Sequence, residues 1–325
     1  MVKYIVITTI NPKTPAVESF ERKEGWSVLL IGDTKSQEIE NSNNLTFLNV
    51  ETQKSLPYTL IRKCPHNHYT RKNIGYLYAL QKGAELIYDT DDDNLPYEDW
   101  GFPNFNVEIS TLSGSKFCNI YSYYTDEKVW PRGFPLELIN SAVNFTETKE
   151  QQAVGVWQGL ADLDPDVDAI HRLIFGKTIR FEANEPIVLD KGVYCPFNSQ
   201  NTLWQREMVP YAYLPATVTF RFTDILRGYI AQRCLWEHGK KLGFTKATVY
   251  QERNEHDLLK DFESEIPCYL EIGKLVQILD GLVLSNDFDN NLMIIYQALI
   301  KEGIVPEAEL PILKAWINDI GKIIT

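Results

Sequence analysis

Residues 84–96 read AELIYDTDDDNLP, a short apolar run that stops abruptly in a cluster of carboxylates. Ala84–Tyr88 has the composition of a strand buried on both faces, and Asp89, Asp91, Asp92 and Asp93 follow at once. Ligands of an open α/β sheet gather outside the carboxyl ends of its strands, so this junction is the first place to look for chemistry. Adjacent carboxylates repel one another unless a cation holds them. Oxygen-only ligands select a hard ion, Mg²⁺ or Mn²⁺, which commonly shares its shell with substrate phosphates. A calcium hand has the same first three spacings, at Asp89, Asp91 and Asp93. Its sixth position would be Asn94 rather than glycine, and its twelfth Trp100 rather than glutamate, so it fails. A solvated acidic turn capping Tyr97–Trp100 stays open as the other reading.

The flanking sequence supplies a sheet for that strand to join. Tyr4–Ile10 is a β-branched run closed by Asn11-Pro12, Trp26–Ile31 is a second run closed by Gly32-Asp33, and Leu45–Leu48 is a third. Val17–Glu24 and Thr70–Gly83 have helical spacing, and Gly83 stands where a C-terminal cap belongs. The order β-α-β-β-α-β predicts an α/β fold with a mostly parallel sheet flanked by helices. Between residues 100 and 222, short strands are expected at Phe117–Tyr124, Thr178–Phe181 and Val218–Phe222. From Thr223 onward the texture is helical, with Ile225, Tyr229, Ile230, Cys234 and Leu235 on one face. Leu258, Leu259, Phe262 and Ile266 share another. The expected division is a ligand-binding unit over 1–250 and a helical C-terminal subdomain over 251–325, its helices beginning near Glu255.

Composition narrows the function. The chain has 325 residues, of which 44% are hydrophobic and 23% charged, an ordinary globular balance. Lys+Arg 32 against Asp+Glu 44 gives a net charge of −12, which leaves no basic footprint for nucleic acid. The five cysteines (Cys64, Cys118, Cys195, Cys234, Cys268) have no C-x-x-C spacing, which argues for free thiols in a reducing compartment. No run of about 18 apolar residues predicts a membrane span, and the cytoplasm is the expected location. A P-loop and a G-x-G-x-x-G turn are both missing, so ATPase and dehydrogenase readings have no site. Cys195 with His171 would be a thiol nucleophile and base, but nothing nearby orients the pair.

Thr70-Arg71-Lys72-Asn73 opens the helix before the acidic strand. Two cations in a first helical turn oppose the helix dipole, and become sensible if an anion docks there. Two exposed basic residues on a surface helix are the alternative.

The ordered set VITTINPKT (6–14), LIGDTKS (30–36), HYTRKNIGYLYAL (68–80), IYDTDDDNLP (87–96), VWQGLADLDPDVDAIHRL (156–173), PFNSQNTLW (196–204) and RFTDILRGYIAQRCLWEHG (221–239) resembles the STELLO glycosyltransferase-like family. That family belongs with nucleotide-sugar glycosyltransferases of the GT-A type. A more distant similarity is to the reversibly glycosylated polypeptide/UDP-arabinopyranose mutase family. The resemblance is read over residues 4–250; plant members carry a membrane anchor that is not read in this chain. It implies a GT-A-like, Rossmann-like fold and metal-dependent sugar transfer from a nucleotide sugar, UDP-linked, to a carbohydrate acceptor.

Residue by residue, the resemblance implies that Thr8, Thr9, Gly32 and Asp33 flank the nucleobase and ribose, with Arg71, Lys72 and Asn73 at the nucleotide. Asp91 and Asp93 would hold Mn²⁺ or Mg²⁺. Asp162, Asp164, Asp166 and Asp168 before His171, Asp92, and the amide and hydroxyl side chains of Asn198, Gln200, Asn201 and Thr202, would face sugar or acceptor. The other reading is that some of the aspartates are caps and turn residues and that 198–202 is a polar turn. Asp224, beside Arg227, would be the carboxylate near the anomeric centre, or else a helix cap. A mutase of the same fold and a catalytically idle nucleotide-binding scaffold are the alternatives.

Overall fold

Ile5 and Ile7 point to one side of the first strand and Val6 to the other, and all three are fully buried. A strand with that pattern must lie inside a sheet covered on both faces. The computed structural model describes residues 1–141, 145–252 and 257–324. Its strands are β1 (Lys3–Thr8), β2 (Ser27–Ile31), β3 (Leu45–Leu48), β4 (Leu86–Thr90), β5 (Asn94–Pro96), β6 (Asn106–Ser113), β7 (Thr146–Asp162), β8 (Ile187–Leu189), β9 (Asn201–Gln205) and β10 (Lys241–Gln251). Its helices are α1 (Pro15–Glu21), α2 (Val50–Lys54), α3 (Lys72–Gln81), α4 (Tyr121–Tyr124), α5 (Ala169–Phe175), α6 (Thr223–Leu235), α7 (Leu258–Leu270), α8 (Ile272–Gly281), α9 (Phe288–Lys301) and α10 (Leu310–Ile324).

The strands form one sheet in the order β3-β2-β1-β4-β9-β7-β6-β8-β10-β5, with β7 also pairing with β10. The sheet is mixed, which corrects the expectation of a mostly parallel one. The pairs β1–β2, β2–β3, β1–β4, β7–β10 and β6–β8 are parallel, whereas β4–β9, β7–β9, β6–β7, β8–β10 and β5–β10 are antiparallel. Antiparallel β9 lies between β4 and β7, so β1, β2, β4, β7 and β10 all run the same way and end at one edge of the sheet.

Several expectations are corrected. Phe117–Tyr124 is not a strand; Phe117 makes one bridge to Tyr194, and Tyr121–Tyr124 is a helical turn. Thr178–Phe181 is reduced to a bridge between Ile179 and Leu163, and Phe220–Phe222 is a 3₁₀ turn. The helical texture from Thr223 is interrupted by β10, a central strand. Leu259, Phe262 and Ile266 lie exposed on α7, which buries Glu265 and Cys268 instead. The expected start near Glu255 lies outside the described residues.

The four last helices are not a loosely attached cap. Leu77, Tyr213 and Leu226 share one hydrophobic cluster with Leu299, Leu313 and Trp316. Three buried carboxylates on these helices or the turn leading into α10 accept from backbone N–H groups of earlier loops. Glu309 takes those of Ala216 and Thr217, Asp319 that of Leu60, and Glu265 that of Ala169.

Helix α3 lies so close to β1 and β2 that a Cβ on Gly75 would stand 2.6 Å from Val6 Cγ1 and 2.9 Å from Ile31 Cγ1. Gly75→Ala should therefore destabilise the protein. Overpacking costs about 1–3 kcal/mol, and the better helix propensity of alanine returns at most about 1 kcal/mol. A lower denaturant midpoint checks it; an unchanged or higher midpoint would mean that α3 can shift away from the sheet.

Candidate functional site

Five co-directional strands deliver their following residues to one edge, and that edge carries a cleft. Thr8 closes β1, Gly32-Asp33 follows β2, Asp91–Asp93 follows β4, Asp164 and Asp166 follow β7, and Gln251 closes β10. Strand β9 runs the opposite way, so its start falls at the same edge: Asn201 pairs with Thr90, and Asn198 and Gln200 precede it. Two cavities open here. One of about 240 Å³ is bounded by Thr9, Gly32, Asp33, His68 and Arg71. The other, of about 270 Å³, is bounded by Asp91, Asp93, Arg132, Asp166, Arg221 and Asp224. They share Thr8, Tyr69, Asp92 and Phe220 as a common wall. A larger groove of about 940 Å³, around Lys3, Trp26, Glu85 and Trp100, lies at the opposite edge and meets none of these loops.

In the smaller cavity, Asp33 accepts from the amides of Thr34 and His68 at 2.7 and 3.2 Å. Burial raises its carboxyl, but backbone N–H groups and the nearby Arg71 outweigh this and leave it below its ordinary range. Arg71 is 1% exposed and donates to Gln53 and the Cys64 carbonyl. Its Nε is buried with no hydrogen-bond partner, 4.0 Å from Asp33 Oδ2. Leaving such a donor unmet costs about 1–3 kcal/mol, so an acceptor arriving in this cavity is favoured.

The acidic loop is divided in its roles. Asp92 turns back to accept from Thr9 and Asn11 and fixes the loop against β1. Asp91 accepts from Lys72 at 3.1 Å and from the Tyr69 hydroxyl at 3.3 Å. Burial pushes its carboxyl up to about 7, with Lys72 opposing and Asp93 and Asp89 adding to the rise. Asp93 Oδ2 accepts from Gln251 at 2.7 Å, while Oδ1 is buried and has no hydrogen-bond partner; burial raises this carboxyl too. Both are carboxylates that an arriving cation would stabilise. Among the described residues no three His, Cys, Asp or Glu side chains converge into a ready-made cage. Asp91 and Asp93 fit a two-carboxylate donor set, whose remaining positions would fall to phosphate and water oxygens.

The opposite wall is a chain of alternating charge. Arg132 donates to Asp166 at 2.8 and 2.7 Å and to Asp224 at 3.0 and 3.1 Å. Asn198 donates to Asp166 at 2.8 Å, and Arg221 stands 3.9 Å from it. Burial alone would raise Asp166, but Arg132 and then Arg221 pull it down to about 2. Asp224 lies in the first turn of α6, where Asp224 Oδ1 also accepts from the Ile225 amide at 3.0 Å.

Other expected site residues are placed elsewhere. Lys72 is fully buried and bonds Asp89, Thr90 and Asp91 below the loop. Asn73 exchanges two hydrogen bonds with the Leu214 backbone. Arg227 pairs with Asp89 at 3.4 Å and lies over Trp204, so Arg132, not Arg227, holds Asp224. Asp168 caps α5 and accepts from Trp130 at 2.6 Å, with burial pushing its carboxyl up to about 6. His171 packs between Trp130 and Phe175. Asn201 bonds Leu160, Tyr88 and Thr248, and Thr202 bonds Gln158 and Asn198, all inside the protein. Burial pushes the Cys195 thiol well above its ordinary range, which removes the nucleophile reading.

Arg132, Tyr69, Arg221 and Gln251 were not expected in the cleft. Arg132 sits in a Pro- and aromatic-rich stretch with no period to read.

Residues 221–324 match the family model described as STELLO glycosyltransferases. The chain is similar to STELLO glycosyltransferases there. The match covers the C-terminal helices, which corrects the expectation that the resemblance ends near residue 250. Two proteins of Arabidopsis thaliana, "Probable glycosyltransferase STELLO1" and "Probable glycosyltransferase STELLO2", are 29% and 27% identical to it over 342 residues. The alignments cover 98% of this chain and 44% of each relative, so the chain spans less than half their length. A solved structure described as "Crystal Structure of a Mycobacterial Protein" is 8% identical, with a TM-score of 0.39 over 83% of this chain and 74% of that one. Among the described residues of this STELLO-like chain no helix is long and apolar enough to cross a membrane.

Asp166 gives the cleft a measurable pH signature. Its carboxyl is lowered from 3.8 to about 2, so its contribution is fully present above pH 4 and is lost as pH falls through about 2. Asp166→Asn should therefore lower stability near pH 7 and approach the parent near pH 2. Urea midpoints across this range test it, and a constant difference at every pH would count against it.

Proposed function

We propose that this STELLO-like chain is a metal-dependent glycosyltransferase with a GT-A-like arrangement. It moves a sugar from a nucleotide-linked donor, taken to be UDP-linked, to a hydroxyl group of a carbohydrate acceptor. The observation that carries this reading is the junction of the two cavities at Thr8, Tyr69, Asp92 and Phe220. One cavity offers a half-buried carboxylate, Asp33, and an unmet arginine N–H, that of Arg71, suited to a nucleoside. The next, across the shared wall, has the carboxylates Asp91 and Asp93, where a diphosphate would follow.

Asp91 and Asp93 would hold Mn²⁺ or Mg²⁺. The metal would supply charge to offset that developing on the leaving nucleoside diphosphate. Asp33 and Arg71 orient the nucleoside end through hydrogen bonds. Asp224 faces the same cavity with its oxygens already accepting from Arg132, so it serves to oppose positive charge on the sugar rather than to take up a hydroxyl proton. Asn198 and Gln200 offer uncharged donors and acceptors for sugar hydroxyls. The family match and the names of the two plant relatives support transfer as the reaction class.

Calorimetry with UDP should show binding in Mn²⁺ that collapses on chelation and in Asp93→Ala; undiminished affinity in chelator would overturn the metal's role. Asp224→Asn should keep UDP and metal affinity while slowing sugar transfer, or hydrolysis of the donor, by about 10²-fold or more. Equal turnover in variant and parent would reduce Asp224 to a helix-end residue.

A further inference from the structure

The 3₁₀ turn Phe220–Phe222 sits at the mouth of both cavities and is held from one side by Arg132, which donates to the Arg221 carbonyl, and from the other by α7. Phe220 is 56% exposed yet packs edge-on against Tyr69, with ring centroids 5.6 Å apart, and it belongs to the wall the two cavities share. The next residue, Arg221, lines the cavity of Asp91 and Asp93. Two consecutive residues of α7 fix this turn. Ser264 accepts from the Thr219 hydroxyl at 2.6 Å through its carbonyl and from the Arg221 amide at 3.2 Å through its hydroxyl. Glu265 accepts from Arg221 Nε at 2.8 Å and stands 2.7 Å from a terminal nitrogen of the same guanidinium.

Glu265 is itself completely buried, unusual for a carboxylate. Its second oxygen accepts from the Ala169 amide at 2.7 Å and the Tyr269 hydroxyl at 2.5 Å. A carboxylate saturated in this way has one orientation, and it imposes that orientation on Arg221.

We infer that Glu265 is a positioning residue for the donor site: it aims Arg221 at the terminal phosphate of a bound nucleoside diphosphate, while the same turn lays Phe220 beside the nucleotide. A planar guanidinium gripped from behind along its Nε edge still presents its remaining N–H groups forward, which suits phosphate oxygens. The inference rests on the nucleotide-donor reading and assigns a task to the helices that the family match covers.

The test compares UDP with UMP in Mn²⁺ by calorimetry, for the parent and for Glu265→Gln. The parent should prefer UDP, and Glu265→Gln should reduce that preference about tenfold or more, as expected for losing a charge-assisted contact. UMP affinity should change little, whereas a merely structural fault would weaken both ligands alike. If Glu265→Gln does not fold, Arg221→Gln carries the same comparison. An unaltered preference in a folded variant overturns the inference alone. A parent that binds UDP no better in Mn²⁺ than in chelator overturns the nucleotide–metal reading, and this inference with it.

Discussion

Everything at the cleft stands on a buried knot of three charges. Asp89, the last carboxylate inside β4, is 2.8 Å from the Lys72 ammonium and 3.4 Å from Arg227, and all three side chains are fully buried. Burying such ions costs several kcal/mol each before their mutual attraction is counted, and removing one partner strands the others at a cost of about 3–5 kcal/mol. Burial pulls the Lys72 ammonium down, but Asp89 and Asp91 outweigh it and hold it above its ordinary range. The knot joins α3, β4 and α6, so the acidic loop starts from a point fixed in three directions. It also explains why Lys72 and Arg227 do not reach the cavities: their charge is used to keep Asp89 inside.

Above that knot the cleft is electrically two-sided. On the β4 side, Asp91 pairs with Lys72 and Asp93 accepts from the Gln251 amide. On the α6 side, Arg132 and Arg221 lie among Asp166, Asp224 and Glu265, so positive and negative groups alternate. A ligand that brings a cation and a diphosphate together would find an acidic receiver on one wall and a balanced, donor-rich wall on the other. This arrangement lets a chain with a net charge of −12 accommodate an anionic substrate.

The legible parts of the sequence were those where burial is continuous. Strands β1 to β4 announce themselves because both faces are covered, and the carboxylates after β4 stand out against so apolar a run. Strand β7 hides because its first half, TETKEQQ, is mostly exposed and reads as a polar loop. Phe220–Phe222 has strand-like composition, yet a turn held from outside by Ser264 overrides local preference. Polar residues at strand ends carry the least information. Asn198 and Gln200 line the cleft while Asn201 and Thr202, one step further along, turn into the sheet, and no spacing rule separates them. Asp168 and His171 looked like sugar ligands for the same reason, because an interior hydrogen bond and a ligand contact call for the same side chains. Glu265 was invisible: a glutamate on an amphipathic helix normally faces water.

The contact between the Leu60 amide and Asp319 joins residues 259 positions apart, and Glu309 reaches back more than ninety residues to the loop at 216–217. Such contacts close only after residues 309 and 319 have been made. During synthesis the sheet can assemble first, with the loop and turn beside the cleft still unanchored. The site is therefore finished late, and a chain stopped before α7 would have the acidic loop and the residues facing it but not the Ser264 and Glu265 contacts that hold the turn carrying Arg221.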